Sequence, residues 1–138
     1  MIARNICLSS LDLARLQDLL ITARQFHSAQ SEILDILEHE LGRAQIIPSE
    51  EIPPYLVTMN SCVHVIDEDT GERAKYTLVY PNEADVKQGK LSILSAMGIA
   101  IIGFSVGDTI EWKFPEGTRH FRIDAIDFQP EATKHFEL

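Results

Sequence analysis

An α+β fold is what this sequence predicts: an antiparallel pair of helices leading an antiparallel β domain that carries one short helix. Three observations lead there. Apolar residues recur at helical spacing over the first third of the chain. Pro48, Pro53 and Pro54 then end every helical pattern. Beyond them, β-branched and aromatic residues dominate in short runs separated by turn residues.

Ser9 and Asp12 stand three residues apart ahead of the first stripe, resembling a capping box with a carboxylate in the first turn. Leu13, Leu16, Leu20 and Ala23 follow at spacings of three and four, and Leu19 and Phe26 widen the stripe. The polar run His27-Ser28-Ala29-Gln30 breaks the pattern, and Ser31 caps a second helix with Glu32 and Asp35 near its start. Its stripe is Ile33, Leu37, Leu41 and Ala44, with Leu34 and Ile36 alongside. Gly42 weakens that helix by about 1 kcal/mol relative to alanine. A link this short sets the helices antiparallel, as a helical hairpin or short coiled coil. At about 15–17 residues each, they reach about 25 Å.

From Tyr55 onward the pattern is β. Val63, Val65, Thr77, Val79 and Tyr80 mark strands, and the DEDTGE run at 67–72 is a hairpin turn in which Gly71 supplies a positive φ. A loop with Asn82, Asp85 and Gly89 leads to Leu91-Ser92-Ile93. The apolar stretch LSAMGIAIIGFSVGD places a short helix near Met97–Ile102. Residues 109–114 alternate apolar and polar, Pro115-Glu116-Gly117 turns, and a last long strand runs from Arg119 to about Phe128. Residues 1–48 are thus expected to form the helical hairpin and residues 49–138 the β domain.

With 138 residues, 45% of them hydrophobic and 24% charged, the chain has an ordinary globular balance. The net charge of −9 argues against a nucleic-acid binder held by phosphate contacts and suits a partner with a basic groove or channel. No apolar run reaches the roughly 20 residues of a membrane span, and the start MIARNICLSS lacks a secretory signal's apolar core, so a cytoplasmic protein is expected. Cys7 and Cys62 lie in no metal-binding spacing and read as partly buried thiols.

Catalytic chemistry is thinly supported. His27, His39, His64, His120 and His135 sit in no catalytic or metal motif. Gly98, Gly103 and Gly107 invite a phosphate-loop reading, but no Lys-Ser/Thr follows; close packing of a short helix on a sheet explains them better. Asp35 and Glu38 share a helix face and can in principle hold Mg²⁺, although a solvated face is the commoner case. Asp67, Glu68 and Asp69 read as a solvated hairpin tip, and Asp108 as a turn-fixing residue.

The run SAMGIAIIGFSVGDTIEWKFPEG resembles the C-terminal domain of the Gre transcript-cleavage factors. Its pattern of Ser-Pro-x-Gly/Ala-x-Ala-Leu-x-Gly, Gly-Asp, strand and Pro-x-Gly is carried here by Ser95, Gly98, Ala100, Ile101, Gly103, Gly107, Asp108, Pro115 and Gly117. LGRAQIIPSEEIPPYLVTMNSCVHVID, TLVYP at 77–81 and DFQPEA at 127–132 are similar to the Rnk branch of that GreA/GreB family, the regulators of nucleoside diphosphate kinase. The resemblance covers nearly the whole chain and is weakest in the first helix. It implies a helical hairpin followed by an FKBP-like domain, without prolyl isomerase activity. It also implies binding at the secondary channel of bacterial RNA polymerase; a monomer with no cofactor and no sequence-specific nucleic-acid contact is expected.

In Gre factors a long coiled coil presents an Asp-x-x-Glu pair at its tip, helping to hold a second Mg²⁺ for cleavage of backtracked RNA. Here the tip is His27, Ser28, Ala29, Gln30 and Ser31, without an acidic pair, and the arm is shorter. The expectation is a non-catalytic regulator that competes with Gre-type factors. The docking loop carries Ala96 where the Gre pattern has proline, and Ser95, Ala96, Met97 and Ile99 are its expected contact patch. Two other readings remain: a cleavage-stimulating factor using Asp35 and Glu38 or Glu32, and a stand-alone binding module for a peptide or small molecule with a pocket near Trp112 and Phe121.

Overall fold

A computed structural model describes residues 6–26, 31–114 and 117–134. Strand β1 (Cys7–Ser9) runs directly into helix α1 (Ser10–Phe26); helix α2 (Ser31–Arg43) and strand β2 (Gln45–Ile47) follow. The Ser9 hydroxyl accepts the Asp12 N–H at 2.9 Å, which satisfies one of the four donors a helix start leaves open. Leu16, Leu20 and Ala23 are buried and Leu13 and Leu19 half-buried, so the stripe on α1 faces the core.

On α2 the buried line is Leu34, Leu37 and Leu41, with Ile33 half-buried and Ile36 exposed. Leu37 and Leu41 lie where the expected stripe puts them, with Leu34 rather than Ile33 as its most buried member near the helix start. Helix α2 has 13 residues against 17 in α1, because the backbone turns extended at Gln45. There β2 pairs with β1 in parallel, Cys7 opposite Gln45 and Ser9 opposite Ile47. Neither strand was expected. Three residues are too few to display a period, and the pairing joins segments about forty residues apart.

The remaining strands are β3 (Cys62–Asp67), β4 (Arg73–Val79), β5 (Lys90–Ser92), β6 (Thr109–Phe114) and β7 (Gly117–Phe128), with helix α3 (Ala96–Ile101) between β5 and β6. They form one sheet in the order β5-β4-β3-β7-β6. The β3–β4, β3–β7 and β6–β7 pairs are antiparallel, so the sheet is mostly antiparallel as expected, and only β4 and β5 pair in parallel. The cause lies in the connection. Pro81 follows β4, and two short 3-10 turns at Pro81–Glu83 and Val86–Gln88 carry the chain back before β5 begins. The β3–β7 register shifts at Cys62/Val63 and His64/Val65, and such bulges curl a sheet.

Alternation along the strands points Val63, Val65, Ile110, Trp112, Phe121 and Ile123 inward. These side chains belong to one continuous apolar cluster with Ile99–Ile102 of the α3 region and with Leu16, Leu34 and Leu37 of the first two helices. The helices thus share a core with the sheet. Fully burying each such Leu or Ile contributes roughly 1.5–3 kcal/mol.

Where β1 crosses the chain after α3, the backbones touch. Cys7 N–H donates to the Gly103 carbonyl at 3.3 Å. Gly103 has φ +80°, and a Cβ there would lie 2.6 Å from Ile6 Cβ. Gly103→Ala should therefore lower stability by about 2–4 kcal/mol. Gly42, with nothing within 4 Å of its added Cβ, is the control: Gly42→Ala should raise stability by about 0.5–1 kcal/mol. Urea unfolding of both variants checks the pair.

Candidate functional site

Helix α3 positions the candidate docking loop. Ser95, extended at φ −129° and ψ 157°, is its N-cap: the hydroxyl accepts the Gly98 N–H at 3.0 Å and donates to the Ser92 carbonyl at 2.6 Å. Gly98 is required here, since a Cβ would sit 2.3 Å from the Ser92 oxygen. Ala96 takes the first helical position and Met97 the second, both half-buried. Ile99, expected in the contact patch, is fully buried in the core, so the patch reduces to Ser95, Ala96 and Met97. In a six-residue helix the inward face cannot be read from spacing, because both flanks are apolar.

Met97 closes one side of a shallow depression of about 100 Å³ over the sheet. Val65, Ala74, Tyr76 and Phe121 line it with Met97, and Asp67 and Arg119 stand among the charged residues beside them. Trp112 does not line it. Asp67 is nearly buried and accepts hydrogen bonds from the Arg119 guanidinium and from the Asp69 and Thr70 backbone N–H groups. Arg119 in turn lies 4.9 Å from the centroid of the Phe121 ring. The expected solvated hairpin tip thus holds one structural carboxylate.

At the far end of α1, Arg24 meets α2. Its guanidinium lies 2.8 Å from Asp35 and 3.4 Å from Glu38. The Asp35 hydrogen bond first, and the nearby Glu38 charge, raise the Arg24 pKa above its ordinary value. The pair weighed as a Mg²⁺ holder therefore carries a cation of its own chain. Of the expected arm tip, His27, Ser28, Ala29 and Gln30 lie outside the described residues; Ser31 opens α2.

The remaining candidates are dispersed. His64 Nε2 pairs with Asp127 at 2.8 Å, and Lys75 reaches the same carboxylate at 3.6 Å. His64 first, and Lys75 after it, hold the Asp127 pKa below its ordinary value. His120 lies between Asp69 and Glu111. Cys7 and Cys62 are half-buried free thiols. Among the described residues, no group of three His, Cys, Asp or Glu side chains is placed to hold a metal ion.

Sequence reading missed one polar cluster. Asp12, taken for a capping carboxylate, is buried and accepts the Met59 N–H at 3.0 Å, across 47 residues of sequence. The neighbouring Thr58 hydroxyl donates to Glu131 at 2.8 Å and shares a hydrogen bond with Ser61. Gln129 donates to the Pro53 and Leu56 carbonyls, both at 2.7 Å. Burial pushes the Asp12 carboxyl up to about 7; the Met59 N–H opposes this and the Glu131 charge adds to it. The only signal in the sequence was the apolar company of Asp12 in the first helix.

Comparison with known proteins places this geometry. Residues 53–128 match the family described as transcription elongation factor GreA/GreB, C-terminal, and residues 4–47 match the Rnk N-terminus. The chain belongs to the GreA/GreB family, on its Rnk branch. It is 37% identical to the regulator of nucleoside diphosphate kinase of Escherichia coli K12 over 134 residues, covering 96% of each chain. It is 39% identical to transcription elongation factor GreA of Thermodesulfovibrio yellowstonii over 107 residues, 78% of this chain and 68% of that one. A solved transcription elongation factor GreA/GreB from Nitrosomonas europaea superposes with a TM-score of 0.71 at 43% identity, covering 89% of this chain and 99% of that one. The family is one of transcription factors and regulators, and this member is a Gre-like transcription regulator. No helix among the described residues is long and apolar enough to cross a membrane.

The Asp67 pair yields a pH prediction. Arg119 first, and then the two loop N–H groups, hold the Asp67 pKa below its ordinary 3.8. A depressed carboxyl stabilises the fold above that ordinary value, and the contribution is lost as pH falls through the folded pKa. Arg119→Met should raise the Asp67 midpoint in a carboxyl NMR titration and move acid unfolding to higher pH.

Proposed function

We propose that this chain is a non-catalytic transcription regulator that binds bacterial RNA polymerase at the secondary channel and competes there with Gre-type factors. In this reading residues 1–48 form an antiparallel helical arm that enters the channel mouth. Residues 49–138 form an FKBP-like domain that docks on the rim through Ser95, Ala96 and Met97. The chain acts as a monomer, and His27–Ser31 are the tip the arm presents.

The observation that carries the non-catalytic half is the Arg24 clamp. A carboxylate pair that is to help hold a catalytic Mg²⁺ must be free to take the metal, whereas Asp35 and Glu38 are both engaged by Arg24. Arm length supports the same reading: α1 and α2, at 17 and 13 residues, span about 25 and 20 Å. A small-molecule module is less well supported. The depression beside Met97, at about 100 Å³, is well below the roughly 300–1,000 Å³ of a typical ligand site.

The chain should co-purify with core polymerase, be displaced by a Gre factor, and leave backtracked RNA uncut in the presence of Mg²⁺. Failure to bind polymerase would sink the proposal, and RNA shortening that Asp35→Ala and Glu38→Ala remove would favour the cleavage-factor reading instead. The loop offers a finer test. Ser95 already holds the extended conformation that precedes proline, and Ala96 occupies the helical position proline prefers. Ala96→Pro should therefore stiffen the loop and tighten polymerase binding about two- to fivefold. Titration calorimetry or competition binding measures it.

A further inference from the structure

At the crossover of residues 57–61, two carboxylates from other elements bond to consecutive residues. From α1, Asp12 takes the Met59 N–H; from the C-terminal 3-10 turn Glu131–Thr133, Glu131 takes the Thr58 hydroxyl. Asp12, Thr58, Met59 and Ser61 are all buried and Glu131 is half-buried, so the Asp12 side of the contact is poorly screened by water. The other groups bearing on Asp12 are the Ser9 hydroxyl at the helix start and Arg15, one turn along α1, which supplies an opposing positive charge. Tyr80, just beyond β4, faces the same cluster; burial first, and the Asp12 charge after it, raise its pKa.

We propose that the buried Asp12 carboxyl, bonded to the crossover one residue from the Glu131 contact, is a proton-operated latch: its proton keeps α1 seated on the crossover, and loss of that proton loosens α1 from the sheet. The latch is a property of the chain alone, and its test needs no polymerase. Two like charges fixed on consecutive residues of one loop repel, and a single proton removes that repulsion without breaking either hydrogen bond. The proton equilibrium runs the right way. The Asp12 carboxyl sits at about 7, raised from 3.8, so the folded chain binds more protons than the unfolded chain between those values. Stability contributed by this group accordingly falls as pH rises across that window and then levels off.

Residue-resolved amide hydrogen exchange on the full chain, corrected for intrinsic rates, reads the latch. Protection at Asp12 and Met59 should fall about tenfold or more between about pH 6 and about pH 8.5 in the native sequence, and Asp12→Asn should hold it level within about twofold. Flat protection in the native sequence, or an Asp12→Asn variant that keeps the full fall, overturns the proposal. If that variant does not fold, a ¹³C carboxyl titration of the unaltered chain decides: an Asp12 midpoint above about 5.5 supports the latch and one below it overturns it. Glu131→Gln should lower the Asp12 midpoint, and an unchanged midpoint overturns the part given to the Glu131 charge.

Discussion

Backbone contact between β1 and Gly103 is the constraint from which the rest of the architecture follows. A helix pair of 17 and 13 residues draws most of its stability from packing its apolar faces rather than from helix propensity. It needs a sheet to cover its apolar stripes, and the sheet needs the helices to cover its concave face. Strand β1 brings the two together by lying against the chain beyond α3 at a separation only glycine permits. Once it is there, β2 pairs with it, and the close of α2 is fixed by where β2 must start. The Leu16–Leu37 stripes then fall onto the same cluster as Val63 and Ile99.

The polar contacts at the junction complete what that approach begins. The linker 53–61 has little regular structure, so its N–H and C=O groups need partners from elsewhere. Gln129 supplies two carbonyls with a donor, Asp12 supplies the Met59 N–H with an acceptor, and the Ser61 hydroxyl accepts the Thr58 N–H. Gln129 and Asp12 come from the two ends of the chain, and Ser61 from the linker itself. Among the described residues, the crossover bonds the first helix, the linker and the C-terminal segment to one another.

Much of this was legible in the sequence, and the division is physical. The Leu16, Leu20 and Ala23 stripe and the alternating β6 and β7 strands are periodic over several residues, so burial writes a pattern that can be read. Family membership was legible because glycines at 98, 103 and 107 and the Asp108 turn form an ordered set. β1, β2 and the parallel β5 were not legible, since three-residue strands carry no period and their partners are remote. Ile99 was misplaced for the same reason: in an apolar run of six, every residue looks equally suited to core or contact. Asp12 was read by its nearest neighbour, Ser9, when its decisive partner lies 47 residues on. The depression beside Met97 joins residues from β3, β4, α3 and β7, a set that only folding assembles.

The acidic surplus gains meaning from where its charges are balanced. Asp35 and Glu38 are taken by Arg24, Asp67 by Arg119, and Asp127 by His64 and Lys75. The exposed pairs among these, such as Arg24–Asp35, contribute little stability, of order 0–1 kcal/mol. What they do decide is which carboxylates stay available. On α2 the residue that removes availability is a neighbour supplied by α1, so the engagement of Asp35 and Glu38 is built into the arm's own packing. An arm of that kind can occupy a basic channel by shape and overall charge while offering no free carboxylate pair among its described residues. In the proposed function, that separates blocking the channel from performing chemistry inside it.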